Sequence, residues 1–131
     1  MSYIKKVLVL SQVIDGFSLV GKRVSGIARI ETIEGVSTFY LSTVNFATVN
    51  SGGYFAYILT DNKKVFSFDL GLKPSSITKT LDASINIDKG FAVGISFIKD
   101  DVPVLVAFAK GESFNVNISD FKKIVIEKII S

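Results

Sequence analysis

GFAVGISFIKDDVPVLVAFA, residues 90–109, consists of two apolar runs joined by a single charged turn. In the first run Phe91, Val93, Ile95 and Phe97 fall on one side of a period-2 ribbon, and Ala92, Gly94 and Ser96, all small, fall on the other. One face fills volume and the other admits a close neighbour. In the second run Val102, Val104, Val106 and Phe108 alternate with Pro103, Leu105, Ala107 and Ala109, so both faces are apolar and the strand is expected to be covered on both sides. Lys99-Asp100-Asp101 between them suits a tight turn, because an Asp side chain can hydrogen-bond its own backbone. A core β-hairpin follows, against which the rest of the chain packs.

On the N-terminal side, Tyr3 to Leu10 carries the apolar run Val7-Leu8-Val9-Leu10 and reads as a strand. Residues 24–33 and 36–46 read as an antiparallel pair turned by Glu34-Gly35, an acidic residue followed by glycine between two β-patterned runs. Residues 54–59 and 65–70 form a second hairpin around Asp61-Asn62-Lys63, with Phe66, Phe68 and Leu70 inward. Ile77 to Leu81 alternates poorly and reads as an edge strand. On the C-terminal side, Phe114, Val116 and Ile118 alternate with Asn115 and Asn117 as a last strand. Ser119 then serves as the N-cap of a helix over 119–131, with Asp120 in its first turn and Phe121, Ile124, Val125 and Ile129 on one stripe.

This is the pattern of an all-β, mainly antiparallel protein: one β-sandwich or barrel-like domain spanning 1–131, with about 8–10 strands and a short C-terminal helix. A chain of 131 residues buries roughly two-thirds of its unfolded surface, enough for a core without staples. The chain ends on Ile129-Ile130-Ser131 with no polar tail, which reads as a lead into a downstream domain.

Composition narrows the chemistry. There is no Cys, His or Trp, so disulfides, thiolate sites and imidazole catalysis are excluded, and no cofactor or metal is implied. The acidic residues sit in turns: Asp15, Asp61, Asp88 and the Asp100-Asp101 pair have backbone reasons for being there, and turn chemistry is preferred over calcium ligation or paired-carboxylate catalysis. The net charge of +3 is spread over pairs such as Lys5-Lys6 and Lys122-Lys123, without the like-charge run of a nucleic-acid arm. No segment reads as an export signal or membrane span, which makes the cytoplasm the expected compartment.

The runs GFSLVGKRVSGIARIE at 16–31, LSTVNFA at 41–47, FDLG at 68–71 and GFAVGI at 90–95 resemble the N-terminal β domain of a group of longer bacterial proteins. That resemblance spans nearly the whole chain, implies the same domain reading, and carries over no functional residue.

With 48% hydrophobic residues, 21% charged and a mean hydropathy of +0.45, the chain has more apolar surface than a core of this size needs. The expected function is therefore non-catalytic: a domain that acts through protein contacts, as a homo-oligomer or by docking a downstream domain, with Phe121, Ile124, Val125 and Ile129 as the interface. The alternative is a small-ligand or carbohydrate-binding module using Tyr40, Tyr54 and Tyr57 as a stacking face.

Overall fold

The computed structural model describes residues 3–60, 64–81, 85, 87–88 and 90–130. Among them, eight strands precede one helix: β1 Tyr3–Gln12, β2 Ser25–Ile33, β3 Val36–Val44, β4 Gly53–Thr60, β5 Val65–Gly71, β6 Ile77–Leu81, β7 Phe91–Lys99, β8 Val102–Lys110 and α1 Ile118–Ile130. The strands form one antiparallel sheet in the order β5-β4-β7-β8-β1-β2-β3-β6. The protein is all-β with a short C-terminal helix, and of the two architectures expected it is the barrel-like one. A single sheet curls on itself, bringing Phe39 of β3 against Phe68 of β5 as stacked rings 6.0 Å apart.

The hairpin turns follow from residues able to adopt positive φ. Glu34 and Gly35 at φ 50° and 84° turn β2 into β3, and Asp100 and Asp101 at 53° and 61° turn β7 into β8, the geometry of type I′ turns. The turn expected at Asp61-Asn62-Lys63 lies outside the described residues. Ile77–Leu81 is an edge strand, as its weak alternation suggested, and pairs only with β3.

Inside the curl, Leu10, Ile30, Phe39, Ile58, Val93 and Ile95 lie in one buried cluster. Tyr54 is fully buried there, edge-on to Phe46 and Phe97, and its hydroxyl donates to the Ala47 carbonyl at 2.8 Å. The outer face of β4, β7 and β8 carries a second cluster, in which Tyr57, Leu59, Ala92 and Leu105 meet Phe121 and Val125 of α1. Thus β7 is covered on both faces, with its large side chains inward and Ala92, Gly94 and Ser96 beneath the helix.

Three sequence readings are corrected. The alternation along β8 breaks: Ile95 pairs with Ala107 but Ser96 pairs with Leu105, so Val106 is an extra residue. Leu105 and Phe108 consequently both face the helix, while Ala107 and Ala109 face the interior. Phe114 and Val116 are buried but lie in a connector rather than a last strand, packed into the cluster between sheet and helix without joining the ladder. Their backbone bonds are local, Phe114 N–H to Gly111 and Val116 N–H to Phe114. The helix cap is Asn117, whose Oδ1 accepts the Asp120 N–H at 2.8 Å, and Ser119 already lies inside the helix.

A β-carbon built on Gly94 would overlap Phe121 Cε1 and lie 2.8 Å from Leu105 Cδ1. Gly94 is therefore the seat of the helix. Gly94→Ala is expected to cost about 1–3 kcal/mol by overpacking, and less in a Phe121→Leu background, because the two sites share one contact. Urea unfolding of the four proteins in that cycle measures the coupling; additive effects would contradict the seat.

Candidate functional site

The outer face of the sheet is divided. Helix α1 covers β4, β7 and β8, while β1, β2 and β3 carry no covering element among the described residues. Register places their outward side chains in rows: Tyr3, Ile33 and Val36; Lys5, Glu31 and Thr38; Val7, Arg29 and Tyr40; Val9, Ile27 and Ser42. Of the fourteen large apolar side chains exposed among the described residues, seven lie here: Tyr3, Val7, Val9, Ile27, Ile33, Val36 and Val44. A solvated sheet face ordinarily carries polar residues at such positions, and the concentration of apolar ones on this face departs from that pattern.

Polar groups organise the middle of this face. The Arg29 guanidinium lies over the Tyr40 ring, 4.0 Å from its centroid, and Arg29 Nε is 3.3 Å from Glu31 Oε1. That nitrogen is buried and, though close enough for ion pairing, is not aligned for a hydrogen bond. Lys5 is the cross-strand neighbour of Glu31.

The helix is flanked by two grooves. One, of about 270 Å³, lies between α1, the start of β8 and the segment after β1, with Val13, Pro103, Leu105 and Val125 in its walls together with Ser96 and Lys122. The other, of about 590 Å³, lies towards β4 and β5 and is edged by Asp120 and Glu127. The bulge at Val106 shapes the first groove: the Val106 carbonyl accepts the Val13 N–H at 2.8 Å, drawing the chain after β1 over the end of β8.

The side chains singled out in the sequence are dispersed. Phe121 and Val125 are buried against the protein's own sheet, with Ile124 and Ile129 half-buried beside them, so this stripe is occupied internally and is not a free interface. The three tyrosines do not share a face: Tyr40 is on the outside of β3, Tyr54 is in the interior and Tyr57 is under α1. They therefore form no stacking row. Asp100 and Asp101 form their hairpin turn, and Asp69, which shares a shallow depression with them, accepts the Gly71 N–H at 2.8 Å. Among the described residues no group of three or more carboxylates, imidazoles or thiols could hold a metal ion, and no helix is long and apolar enough to cross a membrane.

The bare face was foreshadowed by the unusual hydropathy, but its location was not. The sequence signal for it is the run Ile27, Arg29, Glu31 and Ile33, visible once alternate residues of β2 are read together. Compared with known proteins, the chain matches no family model, no curated protein and no solved structure.

Burial raises the pKa of both Tyr54 and Tyr57, since an apolar surround disfavours the phenolate. The unfolded chain ionises its tyrosines near about pH 10, before these two in the native state. Their contribution to stability is thus full below that value and lost as pH rises through the raised native values. Urea midpoints are expected to decline above about pH 10, more shallowly in Tyr57→Phe. Identical alkaline slopes for the two proteins would show that Tyr57 has no part in it.

Proposed function

We propose that the protein is a non-catalytic assembly domain that pairs with a second copy of itself through the outer face of β1, β2 and β3. The observation that carries this reading is the arrangement along β2, whose outward residues run apolar, basic, acidic, apolar: Ile27, Arg29, Glu31, Ile33. A two-fold axis lying in the face, perpendicular to the strands and midway between Arg29 and Glu31, exchanges these rows. It sets Ile33 on Ile27 of the second copy, Tyr3 on Val9 and Glu31 on Arg29. Along β2 apolar residues meet apolar residues and opposite charges meet, as they can in an isologous interface, while on the flanking strands Lys5 falls on Val7 and Val36 on Ser42. Face-to-face packing of antiparallel sheets about 10 Å apart is a common way of burying such surfaces.

A surface meant for a different partner has no need to complement itself in this way. The internal use of the α1 stripe also removes the other large apolar surface from consideration.

Charge reversal tests the axis. Arg29→Glu sets two carboxylates against each other across the interface, and Glu31→Arg sets two guanidinium groups against each other. Each single variant is expected to weaken association at least ten-fold, and the double reversal to restore it, in sedimentation or light scattering across a concentration series. Val102→Lys, at the far hairpin turn, is expected to leave association unchanged. A wild-type protein that stays monomeric at all concentrations, or a double reversal no better than the singles, would overturn the two-fold pairing.

A further inference from the structure

The groove beside α1 combines three features that the packing of the fold does not require. Its walls are aliphatic, from Val13, Pro103, Leu105 and Val125; Lys122 of α1 stands at its edge; and Ser96 of β7 lies in its lining. Ser96 is 1% exposed, and its hydroxyl has no hydrogen-bond partner among the described residues. A buried hydroxyl without a partner is unfavourable, and an alanine would serve the helix contact equally well at this position, as Ala92 does further along the same face. The β-bulge at Val106 of β8 lies opposite the Ile95–Ser96 step, a device that recurs beside binding sites because it re-aims side chains.

We propose that this groove is a binding site for a small aliphatic monocarboxylate. The carboxylate accepts the Ser96 O–H and an N–H of Lys122, and the hydrocarbon body lies along Val13, Pro103, Leu105 and Val125. The chemistry selects this class. The Lys122 ammonium makes its strongest, charge-assisted bond with an anion, and every other side chain of the walls except Ser96 is aliphatic. Size limits the body. The groove encloses about 270 Å³, which suits a short hydrocarbon chain. The opposite groove, edged by Asp120 and Glu127, repels the same ligand.

The site is independent of the β1–β3 face and does not depend on self-association. Octanoate is the probe, titrated by calorimetry and by amide chemical-shift mapping. Saturable binding is expected, with shifts confined to β7, β8, residues 13–14 and α1. Lys122→Glu is expected to weaken it at least ten-fold and Ser96→Ala at least three-fold, while Lys123→Glu, a neighbour that does not line the groove, leaves it unchanged. Ser96→Ala is also expected to raise the Tm of the ligand-free protein, because it removes the unpartnered hydroxyl. Octanol binding as tightly as octanoate, equal losses in Lys122→Glu and Lys123→Glu, undiminished binding in Ser96→Ala, or no saturation below the micelle concentration would each overturn the site.

Discussion

The ring of Phe121 occupies the space that a side chain on Gly94 would fill, and Leu105 closes in from the neighbouring strand. Burying a phenylalanine is worth roughly 1.5–3 kcal/mol, and this one is 1% exposed. Its larger consequence is positional. A helix held at Gly94 by Phe121 and supported by Val125 covers β4, β7 and β8, and because α1 is the only helix among the described residues, β1, β2 and β3 are left bare. The small side chains of β7, the double coverage of that strand, the grooves on either side of the helix and the exposed apolar rows therefore share one cause.

The curl of the sheet has a related origin. β1 pairs with β2 along nine residues but with β8 only at Ser11 and Gln12, so the two halves meet at a narrow seam, and the chain after β1 crosses the bulge in β8. Bulges bend strands and increase their twist. The curled sheet encloses its core from both ends, which is how Phe39 and Phe68, on well-separated strands, come to stack.

The sequence disclosed what local pattern controls. Large and small residues alternate so cleanly along 91–97 that both faces of β7 could be assigned, and the turns at Glu34-Gly35 and Asp100-Asp101 show in their chemistry. The bulge at Val106 left no trace, because a strand apolar on both faces looks the same after its alternation slips. Phe114 to Ile118 alternates as a strand does, yet a strand also needs an edge to pair with, and that is not encoded locally. Tyr40, Tyr54 and Tyr57 are alike in residue type, but strand register sends them to three different environments. Ser96 read only as a small residue; its missing partner is visible only once the helix lies over it. The charge order of β2 was present in the sequence but acquires meaning only when the helix is known to cover the other half of the face.

Native-state amide hydrogen exchange tests the central dependence on the Phe121–Gly94 contact most directly. If the helix completes the core of β7, the amides of α1 from Phe121 to Val125 exchange as slowly as those of Val93 to Ile95, through one shared opening that Gly94→Ala accelerates for both. Fast exchange along α1, with β7 and β8 still fully protected, would show that the helix is an accessory to a sheet that stands without it.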